Sequence, residues 1–280
     1  MLKTGQEYLE SIRDGRVIYL ADERVEDATT HPGFRNGART YGALYDLKSR
    51  PERGLLAAPD FTAVAERSGM IVELGRWAVQ QAARDARRWQ VRYPSTPLMA
   101  ISVNLYGRQL QRPELVSEVV DAVESAGLDP QSLILELAES VLTDDHQPLG
   151  RVLQELRRRG FRLALDNFGV GYSSLGRLRD LPVDILKMDR SFVAGIGQGV
   201  TDGAILRAII GIANSLGLMT IAEGVERPEQ LAALNGMGCQ AGQGFYLSKT
   251  VDFEGMEALL ASCIQSSSGR QLPPTWRQTA

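Results

Sequence analysis

The chain has 280 residues, of which 44% are hydrophobic and 23% charged, so a sizeable core can be buried in one large domain or two small ones. Thirty-one Lys and Arg against 34 Asp and Glu give a formal charge of -3, which argues against a DNA- or RNA-binding protein with a global basic face. No run of apolar residues is long enough to span a bilayer, and MLKTGQEYLESIRDGR lacks the apolar stretch of a secretory signal, so a cytoplasmic location is expected.

In chain order, Tyr8 to Arg13 reads as a short helix that Asp14-Gly15 breaks. Arg16–Leu20 reads as a strand, followed by a polar loop through His31-Pro32-Gly33. Phe34 to Lys48 has a weak helical pattern, because Gly37 and Gly42 interrupt it. From Pro51 onward a regular alternation sets in. Strands are predicted at Met99–Asn104, Leu133–Leu137, Arg162–Asp166, Ile185–Met188, Met219–Glu223 and Gln243–Leu247. Helices are predicted at Ile71–Gln90, Glu114–Ala126, Gln147–Arg159, Thr201–Leu216, Pro228–Gly236 and Phe253–Ser262. Gly127, Gly160 and Gly217 each stand where a helix should end before a strand begins. The polar tail from Ser266, SSSGRQLPPTWRQTA, reads as disordered.

Repeated strand–helix units argue for a parallel sheet. Closure into a barrel is favoured by the polar residues at successive strand ends, namely Asn104, Glu136, Asp166, Lys187, Glu223 and Gln243. No Gly-rich phosphate loop follows the first strand, as an open dinucleotide-binding sheet would require. Three carboxylates and an amide supply hard oxygen donors suited to Mg²⁺ or Mn²⁺, and Lys187 beside them can orient a water or a phosphate oxygen. That combination suits metal-assisted attack on a phosphodiester. The loop Asp166-Asn167-Phe168-Gly169-Val170-Gly171-Tyr172-Ser173-Ser174 has the small side chains of a ligand-sensing segment.

Other features take structural readings. Cys239 and Cys263 have no metal-site spacing and read as small core residues. Arg84, Arg87 and Arg88 read as a solvated helix face, and Arg157-Arg158-Arg159 as cations opposing a helix macrodipole. His31 and His146 fall in loops.

The ordered motifs carry a family resemblance. FTAVAERSGMIVELGRW, ISVNLYGRQL, LILELAES, LALDNFGVGYSSLGRLRDLPVDILKMDRSFV, TIAEGVERPEQL and GCQAGQGFYLSK resemble successive blocks of the bacterial EAL domain. The resemblance implies a (β/α) TIM-like barrel of the EAL type, irregular or incomplete at its N-terminal strands. It implies cleavage of cyclic di-GMP to linear pGpG with two Mg²⁺ or Mn²⁺ ions. By position, Asn104, Glu136, Asp166, Asn167 and Glu223 fall on metal ligands, and Lys187 and Glu223 on catalytic positions. Gln243, Gly244 and Phe245 fall on the ligand-lining strand, and Glu139 on the glutamate that steadies the loop after Asp166.

Three departures bear on activity. Gly42-Ala43-Leu44 stands nearest to the signature Glu-Ala-Leu, so no carboxylate occupies the first ligand position. The usual Asp-Asp pair is Asp166-Asn167. Asp46 lies where a phosphate-contacting arginine is expected. The site is therefore two charges less negative, the second metal is doubtful, and little or no hydrolysis is expected. A cyclic di-GMP receptor, an active phosphodiesterase and a protein-interaction module all stay open at this point, as does a homodimer. Residues 1–50 are similar to the N-terminus of the oxygenase component of 4-hydroxyphenylacetate 3-monooxygenase, and no oxygenase activity is carried over. The expected organisation is a segment of separate origin at 1–50, an EAL-like barrel at 51–264 and a tail at 265–280.

Overall fold

The computed structural model describes residues 6, 18–20, 23–25, 58–94, 98–141, 147–170, 175–197 and 200–266. The expected helices at Tyr8–Arg13 and Phe34–Lys48, the loop around His31, the tail from Ser267 and the segment Gly42 to Asp46 lie outside these residues.

Two compact units divide the chain, Met1–Gly75 and Arg76–Ala280. In the first, β1 (Ile18–Leu20) pairs antiparallel with β2 (Glu23–Val25), Ile18 opposite Val25. Of the strand read at Arg16–Leu20, the described residues Ile18–Leu20 form a strand, in a two-stranded sheet. Helix α1 (Ala58–Ser68) ends at Gly69, whose φ of 83° breaks the helical path. Helix α2 (Ile71–Arg92) begins in the first unit and runs into the second.

The second unit is built on six strands that pair in chain order, all parallel. They are β3 (Ile101–Leu105), β4 (Leu133–Ala138), β5 (Arg162–Phe168), β6 (Ile185–Met188), β7 (Met219–Glu223) and β8 (Ala241–Gln243). Helices α3 (Gly107–Leu110), α4 (Leu115–Ala126), α5 (Gln147–Arg158), α6 (Leu175–Asp180), α7 (Arg190–Ala194), α8 (Val200–Ser215), α9 (Pro228–Gly236) and α10 (Phe253–Ser266) fill the connections and follow β8.

Period-two alternation sorts the strand residues between two layers. Leu133, Leu135 and Leu137 of β4, Leu163 and Leu165 of β5, and Leu186 and Met188 of β6 join the large core shared with the helices. The intervening positions face the other way. There Ile134, Ala164 and Ile185 form a small apolar cluster with Ala100, Met219 and Ile221. Both faces of the central strands are therefore buried, which explains their almost unbroken apolar runs. Two residues further along the same face, the apolar positions give way to Glu136, Asp166, Lys187 and Glu223. One face of one sheet is thus greasy at its N-terminal end and ionic at its C-terminal end.

One predicted element is corrected. The last strand is Ala241–Gln243, not Gln243–Leu247. Phe245, Tyr246 and Leu247 have the composition of a strand, but the chain turns at Gly244, where Leu247 N donates to Gly244 O. Gln243 therefore ends a strand rather than starting one. Arg88 also departs from a purely solvated reading, because its guanidinium lies 4.6 Å from the Phe253 ring centroid. Arg157 pairs with Asp184, and Arg158 and Arg159 pair with Glu155 of α5.

A lysine ringed by carboxylates at the strand ends

The parallel register decides which side chains share the ionic end. Asn104 pairs with Glu136, Ala138 with Asp166, Lys187 with Ile221, and Glu223 with Gln243. Neighbours in register point to the same side of a sheet, so all six polar strand-end residues are placed on one face.

Four of them touch. Lys187 Nζ lies 2.8 Å from Glu136 Oε2, 2.6 Å from Glu223 Oε1 and 3.2 Å from Asp166 Oδ1. The lysine side chain is only 5% exposed, and Glu136 7%. Burial of an ammonium this deep is costly unless it is paired. Burial alone pulls the Lys187 pKa down, but Glu136, then Glu223 and Asp166, outweigh it, and the net shift is upward. Burial also pushes the Glu223 carboxyl up, Lys187 opposes that, and Asp166 and Glu136 add to it; the net shift is again upward. Three carboxylates around one ammonium leave an excess of negative charge.

Asp166 is aimed by a break in its strand. The β5–β6 register shifts between Leu165 and Phe168, a bulge that re-directs a side chain. Within it, Asn167 adopts φ 56°. Asparagine tolerates this left-handed backbone better than most residues. Its Nδ2 donates to Asp166 Oδ2 at 3.1 Å. Asp166 Oδ1 is buried and accepts no hydrogen bond among the described residues, although it faces the lysine.

Glu139 follows β4 in a single 3-10 turn and is buried. Its Oε2 accepts from Gly169 N at 2.9 Å, tying the segment after Asp166 to β4. Gly169 itself has φ 100°, and a Cβ there would lie 2.6 Å from the Phe192 ring. Gly171 to Ser174 lie outside the described residues.

On the β7–β8 side the two strand-end segments are laced together. Val225 N donates to Gln243 O, and Tyr246 N to Val225 O, both at 3.0 Å. Gly244 sits so close that a Cβ would lie 2.2 Å from Val225 O. Gln243 and Phe245 are exposed, Phe245 at 65%. Asn104 and Gln243 share the face by register, but neither side chain hydrogen-bonds to the lysine cluster among the described residues.

The donor chemistry suits a hard divalent cation: oxygen ligands and surplus negative charge. As they stand, the side chains are organised around the ammonium. No three His, Cys, Asp or Glu among the described residues are arranged to enclose a metal. The central position of Lys187 was missed by sequence reasoning, which placed it beside the carboxylates. So was the lacing of Gly244 against Val225, for which the sequence carries no signal beyond a glycine.

The EAL domain model matches this chain over residues 34–250. The chain belongs to the EAL domain family. The cyclic di-GMP phosphodiesterase NbdA of Pseudomonas aeruginosa is 40% identical over 210 residues, 75% of this chain and 27% of that protein. The solved PaMucR phosphodiesterase, in its c-di-GMP complex, superposes with a TM-score of 0.69 at 35% identity, covering 74% of this chain and 83% of that one. The Klebsiella pneumoniae BlrP1 calcium/cy-diGMP complex gives 0.57 at 28% identity, covering 68% and 45%. The EAL domain here spans about a quarter of the length of the curated relatives it matches, 26%, 24% and 27% for three of them. Its fold class is that of the family, an α/β arrangement of the (β/α) TIM-like barrel type. It has homologues that are cyclic di-GMP phosphodiesterases. No helix among its described residues is long and apolar enough to cross a membrane.

Proposed function

We propose that this EAL domain binds cyclic di-GMP with little or no hydrolysis. The observation that carries the reading is Lys187, held at the strand ends by Glu136, Asp166 and Glu223 in the fold of cyclic di-GMP-binding relatives. The longest contact of Lys187, to Asp166 Oδ1 at 3.2 Å, marks the N–H that can be given over to a phosphate oxygen or a water.

Asn104, Glu136, Asp166 and Glu223 are the residues that would hold a divalent cation, Mg²⁺ or Mn²⁺. Bound there, such a cation polarises a phosphodiester and lowers the pKa of a coordinated water. The chain's own groups supply the rest. Lys187 orients, Gln243, Gly244 and Phe245 line the exposed side, and Glu139 holds Gly169 in place. Weak activity follows from Asn167, whose amide nitrogen turns to Asp166 and whose side chain brings no charge. It also follows from the absence of a carboxylate at Gly42-Ala43-Leu44 and from Asp46. Loss of a single electrostatic contact in a catalytic site costs about 3 kcal/mol of barrier, and three changes act here together.

The test is pGpG release from cyclic di-GMP in Mn²⁺, for the native chain and for Asn167→Asp. The native chain is expected to show turnover at least about a hundredfold below that of an intact EAL phosphodiesterase assayed alongside. Asn167→Asp is expected to bind Mn²⁺ more tightly. Rapid pGpG release by the native chain would instead establish the phosphodiesterase reading.

A further inference from the structure

Helix α2 has two faces of opposite character. Its inner face puts Val79, Ala82, Ala83 and Ala86 into the main core, and Trp89 stacks on Phe253 of α10 with ring centroids 5.4 Å apart. Its outer face carries Trp77, Arg84, Arg87, Arg88, Val91 and Arg92, all exposed. The spacing from Trp77 through Arg84 and Arg88 to Val91 follows the helical repeat, so these side chains form one stripe. At the rise of an α-helix the stripe runs about 22 Å.

Cations and apolar groups alternate along it in solvent. Trp77 is 57% exposed and Val91 65%. Arg84 Nη2 donates to a neutral acceptor, Gln81 Oε1, at 3.1 Å. Arg88 lies over the Phe253 ring. Arg87 makes no ion pair among the described residues. Arg92 is neutralised, because its Nη1 donates to both carboxylate oxygens of Glu257, at 2.8 and 2.9 Å. Asp85 is half-buried at the edge of the stripe and accepts from Gln81 Nε2. Arg84, Arg87 and Arg88 therefore concentrate positive charge on a chain whose formal charge is -3. Arg87, Arg88, Val91, Arg92 and Glu257 line an open recess of about 380 Å³ at its C-terminal end.

Charge complementarity calls for an anionic partner, and the exposed Trp77 and Val91 call for one that also takes apolar groups. A cluster of basic residues on an amphipathic helix is attracted to anionic lipid, and Trp is favoured at the level of the head groups. We propose that the outer face of α2 rests this domain on an anionic lipid surface. Arg84, Arg87 and Arg88 meet lipid phosphates there, and Trp77 and Val91 sink between head groups. The contact is adsorption to the surface of the bilayer and requires no spanning helix.

The experiment is co-sedimentation of the whole chain with phosphatidylcholine vesicles, and with the same vesicles carrying about one third phosphatidylglycerol. The chain is expected to sediment with the anionic vesicles alone and to be released by high salt. Arg84→Gln with Arg87→Gln removes two cations that hold no other element in place. That double variant is expected to keep the native melting temperature and to lose roughly twentyfold in vesicle affinity. Arg151→Gln with Arg207→Gln removes two exposed cations of α5 and α8 instead, and is expected to bind as the native chain does. Brominated phospholipid is expected to quench the native tryptophan fluorescence more than that of Trp77→Phe. The proposal is overturned if the chain ignores anionic vesicles, binds both kinds alike, or loses affinity equally in the two double variants. Equal quenching of the native chain and Trp77→Phe overturns it as well. Binding to poly-L-glutamate without binding to vesicles would assign the stripe to an acidic protein segment and overturn it too. None of these readouts depends on cyclic di-GMP, so this proposal and the nucleotide reading stand or fall separately.

Discussion

Lys187 is the residue on which the candidate site is organised. It answers three carboxylates from three different strands, and each of those is buried or nearly so. Replacing it with the isosteric but neutral methionine would leave Glu136, Asp166 and Glu223 facing one another without a counter-charge. Breaking a buried ion pair by deleting one partner costs about 3–5 kcal/mol. Lys187→Met is therefore expected to lower the melting temperature markedly in EDTA. Millimolar Mg²⁺ or Mn²⁺ is expected to recover part of the loss, because a cation that binds the folded state stabilises it. A melting temperature equal to that of the native chain in EDTA would show that the three carboxylates do not depend on the ammonium. The residue types at this site were legible in the sequence, since polar residues recurring at strand ends are unusual in an otherwise apolar sheet. Their partnership was not. Nothing in the spacing of Glu136, Asp166, Lys187 and Glu223 says that the lysine occupies the centre, which depends on the register of four strands.

At the scale of elements, the strands that were easiest to read are those buried on both faces. LILELA, LALD and ILKM have apolar residues on the helix side at every second position and, between them, Ile134, Ala164 and Ile185 followed by the ionic residues, and their bounds came out within two residues of expectation. The last strand was misplaced for a physical reason. GFYL has the aromatic content of a strand, yet Gly244 packs on the Val225 backbone and turns the chain. That contact tolerates no side chain. Gly244→Ala would push a methyl to within 2.2 Å of Val225 O and must part the segments that follow β7 and β8. Overpacking of this kind costs about 1–3 kcal/mol. The variant is expected to stay folded, with a lower melting temperature and weakened cyclic di-GMP binding, because Gln243 loses its support. Unchanged nucleotide affinity in a folded Gly244→Ala chain would detach Gln243 and Phe245 from the ligand site.

For the molecule as a whole, fold and family were readable from six ordered motifs, and the match extends from residue 34 to residue 250. What a sequence does not display is side-chain pairing across a seam. The contact of Trp89 with Phe253 joins residues far apart in the chain through ring stacking rather than through any motif. The central claim is that an EAL site short of acidic ligands retains its dinucleotide. Isothermal titration of cyclic di-GMP into the whole chain, with Ca²⁺ present to suppress turnover, tests it most directly. The account predicts saturable binding at micromolar affinity or tighter, lost in Lys187→Met. An absence of heat at high protein concentration would contradict it and would leave a barrel that serves a protein partner instead.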